Sequence, residues 1–161
     1  RKQVRIPVAT NMYPAKFDDL GPAIRLGAVD IVLTDLHYWE GPRGVKDLVA
    51  VCNTFGLGVA MHSGAEFGIE LAAMIHTAAT LPTMTFAGDA HYHYLTDDII
   101  EGGLMRYENG CIRVPTGPGL GVALDEDKMK FYSTLYEEKG DYYARFHQDP
   151  YRPDWVPTVG G

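Results

Sequence analysis

Four short apolar runs punctuate the chain, and each closes on a polar residue: Arg5-Ile-Pro-Val-Ala-Thr-Asn11, Val29-Asp-Ile-Val-Leu-Thr-Asp35, Gly56-Leu-Gly-Val-Ala-Met-His-Ser-Gly64 and Met84-Thr-Phe-Ala-Gly-Asp89. Apolar residues fill these runs too uniformly for a half-buried strand, which would alternate. They predict parallel strands covered on both faces. From one strand-end residue to the next the chain counts 24 residues (Asn11 to Asp35), 27 (Asp35 to His62) and 27 (His62 to Asp89). One strand, one loop, one helix and one loop have that length.

The stretches between the runs carry the helical period. Residues 17–26 place Phe17, Leu20, Ala23 and Ile24 on one face, with Asp18 and Asp19 suited to the first turn and Gly27 as the stop. Residues 45–55 put Val45, Leu48, Val49 and Cys52 on a stripe that fits against a sheet, and Gly56 ends it. Residues 65–81 are rich in small side chains, with Ile69, Leu71, Ala72, Ile75 and Ala79 allowing close packing and His76 expected as a partly buried helix residue. After Asp89 the pattern changes: His91-Tyr-His93-Tyr, a short strand from Gly110 that runs into Gly/Pro turns, and a helix over 125–139 with Met129, Tyr132 and Tyr136 on one side. The tail from Asp141, aromatic and proline-bearing, is expected to lie as a strap over another surface.

Strands alternating with helices at this period fit either a doubly wound open sheet or a (β/α) barrel. In a barrel the carboxyl ends of all strands converge on one rim, where residues distant in sequence share a site. Four polar strand-end residues favour the barrel. A whole barrel takes about 250 residues, whereas this sequence has 161. The expected fold is therefore α/β, the second half of a TIM-type (β/α) barrel plus a carboxyl-terminal extension. Residues 1–100 would form the half barrel, and 101–161 a strand, helix and tail packing back on it or on a missing amino-terminal domain.

Charge and cysteine content narrow the function. A net charge of −7 argues against a nucleic-acid partner, since phosphate binding needs a basic face. No apolar run approaches the length of a membrane span, and the opening Arg1-Lys-Gln-Val lacks the apolar core of a targeting segment. Cys52 and Cys111, far apart and outside any pairing motif, suggest reduced thiols and a cytoplasmic protein.

Five motifs occur in one order: Pro7-Val-Ala-Thr-Asn-Met12, Thr34-Asp-Leu-His-Tyr-Trp39, Met61-His-Ser63, Gly88-Asp-Ala-His91 and Val114-Pro-Thr-Gly-Pro-Gly-Leu-Gly-Val122. Together, over about residues 4 to 126, they resemble the carboxyl-terminal half of the enolase superfamily, strands five to eight of its barrel. The resemblance is to the glucarate dehydratase-like acid-sugar dehydratases of the mandelate racemase subgroup. It implies Mg²⁺-dependent abstraction of the proton next to a carboxylate, followed by loss of the β-hydroxyl as water. That proton is weakly acidic, so a metal and fixed donors must meet the charge that develops.

By this resemblance Asn11 is a metal ligand, and its amide oxygen suits a hard cation such as Mg²⁺. His62 and Asp35 match a catalytic dyad, the carboxylate fixing the tautomer of the imidazole. Asp89 matches an acidic residue that holds the substrate carboxylate and would need to be protonated to donate. His91 matches a substrate-contacting histidine, and Ser63 and His37 are placed beside it. His37 and Trp39 would line the mouth, or equally pack their own turn. Gly64 stands where the glucarate enzymes carry asparagine, so the resemblance does not name the acid sugar. A catalytic lysine and two metal carboxylates would lie upstream, in a missing amino-terminal half, and the complete enzyme would be a homo-oligomer.

Two rival readings remain at this point. A barrel metal-dependent hydrolase would bind zinc through His91-Tyr-His93, and imidazole ligands would then favour Zn²⁺ over Mg²⁺. Alternatively the chain is an inactive truncated half barrel.

Overall fold

Three strands and three helices alternate through the first part of the chain: β1 (Ala9–Thr10), α1 (Phe17–Leu26), β2 (Ile31–Thr34), α2 (Gly41–Thr54), β3 (Gly58–Met61) and α3 (Gly68–Ala79). The computed structural model describes residues 1–64, 66–89 and 91–140. Contacts divide the chain into a unit of residues 1–123 and another of 124–161. The strands are parallel in the order β1-β2-β3. Successive right-handed crossovers that always step to the same side leave their helices on one face of the sheet. That is the winding of a (β/α) barrel, and also of one half of a doubly wound sheet, whose order reverses only at its switch point.

Register decides which side chains face the helices. Ala9 lies abreast of Ile31, Ile31 of Gly58, Leu33 of Ala60 and Thr34 of Met61. Val32, Val59 and Met61 join the core with Leu48, Val49, Cys52, Leu71 and Met74. Strand side chains alternate, so Ile31, Leu33 and Asp35 on one strand, and Gly58, Ala60 and His62 on the next, belong to the opposite face. The predicted stripe on α2 is the buried one: Val45, Leu48, Val49 and Cys52 are each at most 1% exposed. Burying a side chain of that size contributes about 1.5–3 kcal/mol.

Burial also decides the thiol chemistry, for it pushes the Cys52 thiol up to about 11, while Cys111 is exposed. Thiolate is the reactive form. A neutral-pH alkylating reagent is thus expected to modify one thiol of the folded protein, at Cys111, and both after denaturation. Mass spectrometry of the labelled protein checks this, and equal labelling of the two in the native state would contradict it.

Several boundaries depart from the sequence expectation. Helix α2 starts at Gly41 rather than residue 45, with proline in its first turn, where a missing N–H is tolerated. Gly44 is required there because a Cβ would lie 1.8 Å from the Trp39 carbonyl oxygen. Helix α3 starts at Gly68 rather than residue 65, since Asp98, thirty residues on, accepts the Gly68 N–H at 3.0 and 3.1 Å. The run at 84–89 follows β3 without forming a regular strand. Thr85 and Asp89 donate to the Val59 and Met61 carbonyls at 3.0 and 2.8 Å, a step of four residues against two. The Thr85 hydroxyl takes the Val59 N–H at 3.4 Å in place of a ladder carbonyl.

The strand expected from Gly110 is one arm of a hairpin, β4 (Tyr107–Glu108) against β5 (Cys111–Ile112). Asn109 (φ 52°) and Gly110 (φ 76°) make its turn in the left-handed region that such two-residue loops need. In the second unit α4 (Glu126–Lys139) is capped by Asp125, whose side chain accepts the Lys128 N–H at 3.0 Å. The expected strap, residues 141–161, lies outside the described residues. No helix among the described residues is long and apolar enough to cross a membrane.

Candidate active site

The parallel register sets Asp35 and His62 side by side just past the ends of β2 and β3, joined by a bond from His62 N–H to the Thr34 carbonyl at 2.6 Å. Their side chains meet on the face away from the helices, His62 Nδ1 lying 3.3 Å from Asp35 Oδ2. The other carboxylate oxygen of Asp35 accepts from the His37 and Tyr38 N–H groups at 2.9 and 2.8 Å. That turn fixes the carboxylate, which is only 3% exposed. On the far side of the ring, the Asn11 amide nitrogen lies 2.8 Å from His62 Nε2. One hydrogen pattern satisfies all three residues: Nδ1–H donates to Asp35, and Nε2 accepts from the Asn11 amide. In that pattern Nε2, the nitrogen away from Asp35, is the acceptor of the ring.

Asn11 offers a cation one amide oxygen. Among the described residues no three His, Cys, Asp or Glu side chains converge as a metal cluster, and a strongly hydrated Mg²⁺ is held through carboxylates. These residues do not by themselves fit a Mg²⁺ site.

A second row sits beside the first. Ser63 is fully buried; its hydroxyl lies 2.9 Å from both Glu66 oxygens and accepts the His91 N–H at 2.9 Å. The Ser63 carbonyl accepts from His91 Nδ1 at 2.8 Å. Placement alone thus makes Ser63 a support behind the rim, its hydroxyl engaged within the chain. Asp89 is brought beside His91, Oδ2 lying 3.9 Å from Nδ1, and its N–H bond to Met61 keeps it level with the dyad strand. His37 reaches helix α3, its Nε2 2.5 Å from Glu70 Oε1. Burial raises the Glu70 carboxyl above its ordinary value; Glu66 and Asp35 add to this, and His37 opposes it. Trp39, left open between mouth and packing, is 1% exposed and edge-on to Phe17 at 5.3 Å, so it packs its own turn.

The sequence motifs pass over Glu66, Glu70, Tyr92 and Asp98. For Glu66 a signal exists: Ser63-x-x-Glu66 is the spacing of a capping box ahead of a helix. Asp98 is fully buried and accepts from Gly68, from Ile99 N–H at 2.7 Å and from the Tyr92 hydroxyl. The Tyr92 oxygen in turn accepts the Met105 N–H at 2.8 Å. Burial, and next the bond to Asp98, push the Tyr92 phenol above its ordinary value. It therefore remains a donor. His93 lies against Tyr94, ring centres 3.9 Å apart, while His91 turns its Nδ1 to Ser63, so the two imidazoles serve different partners.

The chain is similar to known proteins. Residues 1–128 match the sequence profile of a family described as enolase C-terminal domain-like. A probable glucarate dehydratase from Streptomyces coelicolor is 46% identical over 159 residues, 96% of this chain and 37% of that protein. The crystal structure of an enolase from Pseudomonas fluorescens Pf0-1 with bound magnesium, potassium and tartrate superposes with a TM-score of 0.88 at 39% identity, covering 96% of this chain and 37% of that one. A muconate cycloisomerase from Azorhizobium caulinodans is more distant, with a TM-score of 0.68 at 26% identity, 81% of this chain and 37% of that one. The chain thus spans 37% of the length of the curated dehydratase that it matches.

Proposed function

Because the chain belongs to the enolase C-terminal domain-like family, we propose that it carries the proton-abstracting edge of a Mg²⁺-dependent acid-sugar dehydratase. In this reading β1, β2, β3 and the irregular run at 84–89 take positions five to eight of the barrel, and the remaining strands supply the other half of the site. The observation that carries it is the row Asn11–His62–Asp35, an imidazole polarised from both sides at the rim.

His62 Nε2 takes the proton from the carbon next to the substrate carboxylate. Asp35, buried and fixed by two backbone N–H groups, stabilises the imidazolium that results. The electron pair left on carbon moves toward the carboxylate and then expels the β-hydroxyl, which takes the proton held by the His62 imidazolium and departs as water. Asn11 has its amide nitrogen on His62 in the free chain, and its oxygen is the group offered to Mg²⁺ alongside carboxylates from the rest of the barrel. Held there by Asn11 and those carboxylates, the ion would supply positive charge beside the substrate carboxylate. Asp89 and His91, adjacent at the neighbouring position, hold the far part of the substrate, and His37 borders the mouth through its link to Glu70.

The experiment uses the complete enzyme in D₂O with Mg²⁺ and glucarate. Exchange at the carbon next to the carboxylate together with loss of water is expected. Exchange without loss of water would favour an isomerase over a lyase. The 161-residue chain alone, given the same mixture, is expected to show neither, because one amide does not retain the cation and most stabilisation of the developing charge is then missing. Turnover is expected on adding a separately made amino-terminal half that closes the barrel. Dehydration by the chain alone would overturn the reading.

A further inference from the structure

Behind the rim sits a carboxylate that the proposed reaction does not use directly. Glu66 is 7% exposed. Both of its oxygens lie 2.9 Å from Ser63 Oγ, and Oε2 also accepts the Gly64 N–H at 2.9 Å. An ionised carboxylate only accepts, so the single hydroxyl hydrogen of Ser63 points at Glu66. The lone pairs of that oxygen then face away, where the His91 N–H donates into them at 2.9 Å. On the same residue, the Ser63 carbonyl faces His91 Nδ1 at 2.8 Å. A carbonyl cannot donate, so Nδ1 carries the hydrogen and Nε2 of the neutral ring is a bare acceptor on a side chain 43% exposed.

We propose that Glu66 is a positioning residue for His91: acting through Ser63, it holds the ring in the Nδ1–H tautomer with Nε2 set to accept a hydrogen bond from a substrate hydroxyl. The substrate side of this rests on the acid-sugar reading above and deepens it. A bare ring acceptor selects a polyhydroxy carboxylate that has a hydroxyl to donate at that place, over a deoxy acid that has none. A site built to pair a polar group discriminates strongly against an analogue lacking its partner. The order of control runs one way. Glu66 orients the hydroxyl; the hydroxyl, by accepting the His91 N–H, seats the ring so that Nδ1 meets the Ser63 carbonyl, which fixes the tautomer only while that seat is kept; and His91 reads the ligand.

The test is ¹⁵N NMR of the imidazole nitrogens in the ligand-free protein, at a pH where the His91 ring is neutral. The parent protein and Glu66→Gln are expected to show the Nδ1–H tautomer of His91, because glutamine keeps an acceptor oxygen for Ser63 and Gly64. Glu66→Met, of similar size but without an acceptor, is expected to lose it in favour of the Nε2–H form that free histidine prefers. If the methionine variant does not fold, Ser63→Ala is read instead and should show the same loss. A His91 that stays Nδ1–H in Glu66→Met, or in Ser63→Ala where that variant replaces it, with only a lowered Tm would make Glu66 merely structural and overturn the proposal. So would an Nε2–H ring in the parent or in Glu66→Gln. The readout needs no substrate. Absence of acid-sugar chemistry in the complete enzyme would remove the proposed reaction while leaving the tautomer result standing.

Discussion

Changing His62 to asparagine in the complete enzyme is expected to slow hydrogen exchange next to the substrate carboxylate by about 10²–10⁴-fold, the usual contribution of a positioned general base. The imidazole is the basic group of the row, its Nε2 meeting the Asn11 amide in the free chain and Asp35 lying 3.3 Å behind it, and an amide has no basic nitrogen to replace it. Mg²⁺ affinity is expected to change little. His62 touches the proposed ligand Asn11 at 2.8 Å through Nε2, and an asparagine at 62, which reaches only to the level of Nδ1, leaves the Asn11 amide in place to offer its oxygen to the cation. Deuterium incorporation followed by NMR gives the rate, and calorimetric titration of Mg²⁺ gives the affinity. Loss of metal binding in proportion to the loss of rate would make His62 part of the metal site and contradict its assignment as base.

Much of this arrangement was legible because parallel strands make it so. A buried strand has few polar residues, so one at its carboxyl end stands out, and the barrel period carries successive ends to one rim. Asp35 and His62 became neighbours once register was set, since Thr34 pairs with Met61 directly before them. Asn11 lies on the same face by alternation from Ala9. The supporting residues were illegible for a physical reason. The start of α3 is chosen by a carboxylate thirty residues downstream, through Gly68 and Asp98, and no local pattern in residues 65–81 carries that information. Glu66, drawn back onto Ser63 and Gly64, leaves the helix it was expected to join. The irregular run at 84–89 has the composition of a strand, but a threonine hydroxyl substitutes for its ladder. The hairpin is different, because its Asn109-Gly110 pair is a strong local turn signal that outweighs the expectation of a lone strand beginning at Gly110.

Asp98→Ala is expected to destabilise the protein by about 3–5 kcal/mol, the range for stripping the acceptor from several buried donors at once. The fully buried carboxylate serves the Gly68 N–H at the start of α3, the Ile99 N–H and the Tyr92 hydroxyl. Alanine leaves all three without a partner where water does not reach easily. The consequence extends to the rim. Tyr92 follows His91 directly in the chain and holds Met105 through its oxygen, so the turn that presents His91 loses its anchor together with the start of the helix just after Glu66. At this chain size the expected loss lowers Tm by on the order of 10 °C, measurable by calorimetry or by the midpoint of urea unfolding. Asp98→Asn keeps one acceptor oxygen and should recover part of the loss. Its amide hydrogens oppose either the Gly68 N–H or the Tyr92 hydroxyl, so it should fall between alanine and the parent. Equal stability of parent and alanine variant would show that these donors find other partners, and that Asp98 does not hold the helix start and the His91 turn together.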